Sequence, residues 1–127
     1  KALLYRNLRV EDDVFIGPCV VFTDDPHPPC PRYKDCVRGA VVKRFVRIGA
    51  NSTILPGLLI GENSLIGAGS VVIKDVPKNS VFAGCPAHKL KSITELVCFK
   101  EFFKIGFPFT MAAVSAAYLF VWVIWGR

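Results

Sequence analysis

The chain has 127 residues and a net charge of +6, with 16 Lys and Arg against 10 Asp and Glu. This length suits one domain with a modest core, and no basic run with interleaved aromatic residues is present, which argues against nucleic-acid binding. Five cysteines, an odd number scattered along the sequence, favour reduced thiols in a cytoplasmic domain over a disulfide framework.

Residues 1–23 already carry apolar side chains at intervals of six: Leu4, Val10, Ile16 and Phe22. Because the pattern is in phase from the start, we expect the sequence to be a piece of a longer protein with earlier coils. The step then fails, since the next apolar residue in phase, Val42, lies 20 residues after Phe22 and not the 18 of three regular steps.

The interval from 24 to 40 is rich in proline, which removes backbone donors and blocks strand pairing. We predict a loop inserted into the repeat here, with residues 41–46 returning to the regular pattern. Insertions in repeat proteins emerge on one face, which is often the functional one.

The strict repeat runs from 47 to 77. Its aliphatic positions are Ile48, Ile54, Ile60, Ile66 and Val72. A period of six does not fit a helical turn and is typical of a parallel β-helix, in which stacked units bury one continuous column of side chains. Glycine follows three of the five aliphatic residues, which suits a corner where a side chain would clash or where φ is positive.

Together with its ending, Lys74–Pro77 followed by Ala83–Leu90, this repeat resembles the hexapeptide-repeat acyltransferases, nearest to sugar and nucleotide-amino-sugar acetyltransferases. The resemblance covers about residues 10 to 93. It implies an all-β domain over 1–93, folded as a left-handed parallel β-helix with three hexads per turn and assembled as a homotrimer.

Two further segments are predicted after this domain. Residues 94–104 have the spacing of an amphipathic helix with Thr94 as its N-cap. Residues 105–127 form a hydrophobic helix without charge from Ile105 to Gly126. It is either a membrane anchor on the cytoplasmic side or a helix that packs on the β-helix or on a trimer mate.

Acyl transfer from a thioester needs a base for the proton of the acceptor, and His27 lies in the inserted loop. By resemblance, His27 is the base, and Asp24 orients the acceptor amine or hydroxyl. A solvated loop histidine is the alternative. His27, Cys30 and Cys36 could also supply three zinc ligands, with Asp25 or Asp35 as a fourth, but structural zinc sites usually show tighter paired spacing, so no metal is expected.

The resemblance also implies acetyl-CoA as co-substrate, lying along the coils between subunits. The residues that it assigns to the carrier are Ala50, Gly67, Ala68, Gly69, Lys74, His88 and Lys91. For the glycines and alanines the alternative is a purely structural role at corners, and Lys74 and Lys91 could be solvated charges.

The leading hypothesis is therefore a trimeric acyltransferase that acts on a sugar or nucleotide-linked amino sugar, in the synthesis of surface polysaccharide. A non-catalytic β-helix scaffold tethered to a membrane is the alternative. A carbonic anhydrase of this fold is disfavoured because the chain has only two histidines. A serine-type O-acetyltransferase is disfavoured because no His-Asp pairing is visible.

Overall fold

The computed structural model describes residues 1–5 and 7–96, and the structural statements below concern that part of the chain. Short β-strands separated by turns account for most of it. Their bounds are β1 Arg9–Val10, β2 Phe15–Ile16, β3 Val21–Phe22, β4 Val41–Val42, β5 Arg47–Ile48, β6 Thr53–Ile54, β7 Leu59–Ile60, β8 Leu65–Ile66, β9 Val71–Val72, β10 Ser80–Gly84 and β11 Ala87–Ser92. A one-turn helix, α1, spans Tyr33–Cys36, and a 3-10 turn spans Ile93–Glu95.

The strands form three sheets, which are the three faces of a coil. One sheet contains β1, β4 and β7, the second contains β2, β5, β8, β10 and β11, and the third contains β3, β6 and β9. Successive coils pair in parallel, and Val41 pairs with Leu59, 18 residues later. Three hexads therefore make one turn of a β-helix, and the arrangement fits the left-handed parallel β-helix expected from the sequence.

The aliphatic column forms the core of this coil. Ile48, Ile54, Ile60, Ile66 and Val72 are each at most 1% exposed, and Phe22 and Val42, which flank the insertion, extend the column. In the first hexads the phase is correct but the burial is not. Leu4 and Val10 are exposed and Ile16 is only half-buried, because no coil of the described chain stacks beneath β1 and β2.

Left-handed backbone conformations recur at the corners with the same period of six. Positive φ angles occur at Asn7, Asp13, Cys19, Phe45, Asn51, Gly57, Asn63 and Gly69. The glycines directly after the aliphatic residues are not among them, so of the two reasons given for these glycines a positive φ does not apply. Gly49 is required for the other reason, since a Cβ there would overlap the backbone nitrogen of Ala68 in the next coil.

The insertion replaces no part of a coil. Phe22 pairs with Ile54 and Val42 with Ile60, so Val42 begins the very next hexad after Phe22. The 20-residue interval is thus one step of six plus 14 inserted residues. The inserted loop predicted from the sequence therefore spans a single corner, and not a whole turn, between the two strands.

An antiparallel hairpin closes the far end of the coil, where the sequence had indicated only an ending. β10 pairs in parallel with β8 and in antiparallel with β11, which covers the end of the second sheet. The 3-10 turn that follows has Ser92 at its N-cap, and Oε1 of Glu95 accepts a hydrogen bond from the Ser92 backbone N–H at 3.1 Å. Thr94, predicted as the N-cap of a helix over 94–104, lies within this turn.

The predicted helix over 94–104 is described only as far as Leu96, and the predicted hydrophobic helix over 105–127 lies outside the described residues. Among the residues that the structure does describe, we find no helix with the length and apolar character needed to cross a bilayer.

A salt bridge joins the first two coils of the first sheet. Lys43 donates to one carboxylate oxygen of Glu11 at 2.6 Å, and the backbone N–H of Arg44 donates to the other at 3.0 Å. The Lys43 hydrogen bond, followed by that of Arg44, lowers the pKa of Glu11 below its ordinary value of 4.5. The charged carboxylate therefore stabilises the fold above the unfolded pKa, and this contribution is lost as the pH falls through the folded pKa.

We expect Glu11→Gln to lower the melting temperature slightly at neutral pH. The difference from the wild type should shrink once the pH falls below about 4.5 and should be smaller in high salt. Melting curves between neutral and acid pH measure this, with Glu62→Gln, at another exposed glutamate, as the control. A difference that persists unchanged in acid would contradict the assignment to this ion pair.

Candidate active site

The insertion is fixed at its base by backbone hydrogen bonds. The N–H of Arg38 donates to the carbonyl of Asp24 at 2.9 Å and thereby closes the loop. The carbonyl of Arg38 in turn accepts from the N–H of Gly57 at 3.1 Å, in the following coil. The loop therefore rises from one defined corner of the coil, between the third sheet and the first.

Asp24 holds the loop from inside. The residue is only 7% exposed, and its Oδ2 accepts a hydrogen bond from the Tyr33 hydroxyl at 3.1 Å. Tyr33 begins α1, so this contact ties the start of the insertion to the helix within it. Because the buried Asp24 carboxylate is hydrogen-bonded to Tyr33, it fixes the position of α1 relative to the base of the insertion.

His27 is exposed, and its backbone N–H donates to Oδ1 of Asp25 at 2.9 Å. Its side chain lines a cavity of about 620 Å³ between the insertion and the neighbouring corner of the coil. The other lining residues are Pro26, Arg32, Asp35, Cys36, Arg38, Pro56 and Gly57. The lining of the cavity carries two guanidinium groups and one carboxylate, a positive balance that favours a small molecule with negative charge.

Two cysteines lie beside His27. The N–H of Tyr33 donates to the carbonyl of Cys30 at 3.1 Å, and that of Cys36 donates to the carbonyl of Arg32 at 3.2 Å, which folds the loop back on itself. One ligand atom from each of His27, Cys30 and Cys36 lies within 4.8 Å of the others. The hydrogen bond with the Cys30 thiol, followed by burial, raises the pKa of Cys36.

Four of the residues assigned to the carrier share one corner, between the second sheet and the third. Ala50 and Ala68 are equivalent positions in successive coils, and the N–H of Gly69 donates to the carbonyl of Ala50 at 2.8 Å. Ala68 and Gly69 are exposed, and a Cβ on Gly69 would meet nothing within 4 Å. This corner therefore presents open backbone without side chains in front of it.

The other three assigned residues lie elsewhere. Lys74 is exposed at the corner from which the insertion rises in an earlier coil, while His88 and Lys91 are on β11 of the closing hairpin. His88 is exposed, like His27, and its Nδ1 lies 3.1 Å from the carbonyl oxygen of Pro86. Within a single chain, the four backbone positions therefore lie at a different corner from His27, whereas Lys74 lies at the corner of the insertion.

Sequence reasoning missed the remaining lining of the cavity. Arg32 and Arg38 flank α1 within the insertion, and Pro56 and Gly57 come from the corner beneath it. The arginines carried a signal, since they are the two guanidinium groups within an insertion that was itself predicted. Pro56 and Gly57 carried none, because their place in the repeat already explained them.

The repeat has counterparts among known proteins. Residues 39–74 match the family described as bacterial transferase hexapeptide (six repeats). The galactoside O-acetyltransferase of Lactococcus lactis subsp. lactis is 38% identical over 95 residues, which cover 70% of this chain and 45% of that protein. The chain thus spans less than half the length of this curated relative.

Two solved structures share the fold. A galactoside acetyltransferase in complex with coenzyme A has a TM-score of 0.60 and 31% identity, over 80% of this chain and 50% of that one. A hexapeptide-repeat acetyltransferase of Vibrio cholerae O1 biovar eltor, complexed with acetyl coenzyme A, has a TM-score of 0.56 and 30% identity, over 72% and 56%.

The described residues form a parallel β-helix with one insertion, and an open pocket lies beside that insertion. Among parallel β-helix proteins, the repeats and the relatives that match are those of hexapeptide-repeat transferases. The resemblance predicted from the sequence is confirmed. The chain carries the repeats of the bacterial transferase hexapeptide family over residues 39–74 and is similar to galactoside acetyltransferases over most of its own length.

Proposed function

We propose that the chain forms part of an acetyl-CoA-dependent acetyltransferase that acts on a sugar or a nucleotide-linked amino sugar. The observation that carries this is the cavity lined by His27, Arg32 and Arg38, raised by the insertion above the corner at Gly57. A scaffold has no need for an interrupted repeat with a pocket of this size, and the relatives are acetyltransferases by name.

In the proposed step, the acceptor's hydroxyl or amine attacks the thioester carbonyl while His27 takes its proton. A bond forms from the acceptor oxygen or nitrogen to the acetyl carbon, and the carbon–sulfur bond breaks. Coenzyme A leaves as the thiolate, and the proton held by His27 then returns to it. Proton transfer by a positioned side chain of this kind contributes about 10²- to 10⁴-fold to a rate.

For the carrier, we propose that its pantetheine arm lies against the open backbone at Ala50 and Gly67 to Gly69. Lys74 would contact its polar end, and His88 and Lys91 its phosphates. The exposure of Ala68 and Gly69 and the free space beside Gly69 support this placement.

A homotrimer would complete the site. Within one chain, the carrier corner and the insertion corner follow different sheets, so each copy supplies half of what acyl transfer needs. Packing the insertion corner of one copy against the carrier corner of the next would bring His27 to the thioester. A closed ring of three copies does this at every interface.

Arg32 and Arg38 favour an acceptor that carries phosphate, because one guanidinium group can donate two parallel hydrogen bonds to two phosphate oxygens. This supports a nucleotide-linked sugar and hence a place in polysaccharide synthesis. Attachment to a membrane through residues 105–127 stays a prediction from the sequence.

The test is thiol release from acetyl-CoA by the full chain, over a panel of nucleotide-linked and unmodified sugars. We expect turnover with at least one nucleotide-linked amino sugar, and a raised KM for it in Arg32→Gln and Arg38→Gln. Failure to bind coenzyme A at all would overturn the proposal in favour of the scaffold.

The role of Asp24 is separable with a matched pair of variants. Asp24→Asn removes the charge but still accepts from the Tyr33 hydroxyl, whereas Tyr33→Phe removes that hydrogen bond and keeps the charge. If Asp24 orients the acceptor, we expect Asp24→Asn to raise the acceptor KM at least about tenfold, as loss of a charged hydrogen bond does. Steady-state kinetics measure this. Equal defects in both variants would show that Asp24 acts only through the loop.

A further inference from the structure

The insertion brings two thiols and one imidazole together in a way that the acyl-transfer chemistry does not use. His27, Cys30 and Cys36 each offer a ligand atom, and these atoms lie within 4.8 Å of one another. In a tetrahedral zinc site, with Zn–S near 2.3 Å and Zn–N near 2.0 Å, the donor atoms are about 3.6–3.8 Å apart. A contraction of about 1 Å at most would bring these three into coordination.

The backbone already holds the three residues in place. Cys30 and Cys36 are joined through α1 by the hydrogen bonds from Tyr33 to Cys30 and from Cys36 to Arg32. The backbone of His27 is held by Asp25. Both cysteines are half-buried and His27 is exposed, so the cluster is ordered on one side and open to an entering ion on the other.

We propose that His27, Cys30 and Cys36 bind a soft divalent cation of the zinc type. Thiolate and imidazole ligands select zinc over magnesium or calcium, which prefer oxygen. Two thiolates balance the charge of the ion, so the nearby Arg32 and Arg38 face a neutral complex. Among the described residues no fourth His, Cys, Asp or Glu joins the cluster, which leaves one coordination position for water.

This site has a consequence for catalysis that rests on the proposed function. A metal on either nitrogen of His27 leaves the other as an N–H, and neither can then accept a proton. The metal-bound chain would therefore lose the base for acyl transfer, and zinc would act as a reversible inhibitor at the cavity itself.

The binding test uses the full chain, reduced, treated with EDTA, dialysed and titrated with ZnCl₂. We expect one zinc per chain by metal analysis, a raised melting temperature, and a thiolate-to-cobalt absorption band when Co²⁺ is used instead. Cys30→Ser and His27→Ala should lose the bound zinc, while Cys85→Ser, at an exposed cysteine outside the cluster, should retain it. MgCl₂ should give no binding.

Absence of zinc from the reduced wild-type chain would overturn the site, as would equal retention by Cys30→Ser and His27→Ala. If Cys30 and Cys36 form a disulfide, and the chain still binds no zinc after that disulfide has been reduced, the site is also overturned. Because these readouts need no turnover, they fail or succeed independently of the acetyltransferase proposal.

The activity arm separates the two proposals. We expect zinc to abolish thiol release by the wild-type chain, EDTA to restore it, and Cys30→Ser to be insensitive to zinc. Stoichiometric zinc with unchanged turnover would support the metal site and overturn His27 as the base.

Discussion

Replacing Ile60 by alanine is expected to lower the free energy of unfolding by about 2–5 kcal/mol. Ile60 is fully buried in the aliphatic column, with Val42 in the coil below it and Val76 in the coil above it on the same face. Removing its side chain leaves a cavity between coils whose spacing is fixed by backbone hydrogen bonds, so the gap cannot close by collapse. Urea titration followed by circular dichroism measures the loss.

The matched control is Leu59→Ala, one residue earlier on the same strand. Leu59 faces outward and is 42% exposed, so it leaves no internal cavity. We expect a change below about 1 kcal/mol within a single chain. Any larger effect that depends on protein concentration would report an interface between copies, whereas the Ile60→Ala effect should not vary with concentration. Equal, concentration-independent losses would contradict the assignment of inside and outside on β7.

The column could be predicted because each coil buries one side chain per face, so a buried aliphatic residue recurs every six positions in the sequence. Ile48, Ile54, Ile60 and Ile66 all follow it, and all are buried. The same reasoning fails at the ends, where Val10 keeps the phase but has no coil beneath it. Periodicity specifies which way a side chain points, and the neighbouring coil decides whether it is covered.

The corners carried a weaker signal. Asn51, Asn63 and Gly69 occupy left-handed positions, which asparagine and glycine adopt at low cost. Phe45 and Cys19 adopt the same conformation without that preference, so residue type alone does not identify the corner position. There the stacked coils impose the backbone angle.

The insertion could be located from the sequence, but its interior could not. No period governs residues 24–40, and their shape depends on contacts between distant residues, such as Asp24 with Tyr33 and Arg38 with Gly57. The spacing of His27, Cys30 and Cys36 allowed three ligands without indicating that they converge. Their convergence depends on α1, a single turn without a side-chain cap, which no sequence pattern marked.

Replacing His27 by alanine is the largest functional change that we expect. Turnover should fall by about 10²- to 10⁴-fold, because the acceptor then loses its proton to water. His27 is exposed, so the fold should not be affected. None of the residues proposed to hold the carrier is on the insertion, so the affinity for acetyl-CoA should be unchanged, and the loss should appear in kcat.

The measurement is steady-state thiol release in EDTA, which keeps metal from His27, together with calorimetric binding of acetyl-CoA. Lys34→Ala, an exposed residue within α1, controls for disturbance of the insertion and should keep wild-type kcat. His27→Gln retains a polar side chain without a group that accepts a proton near neutral pH, so it should be as inactive as His27→Ala. A wild-type kcat in His27→Gln would contradict the role of His27 as the base and would assign the histidine to binding. The acceptor's proton would then have to pass to a group other than the imidazole.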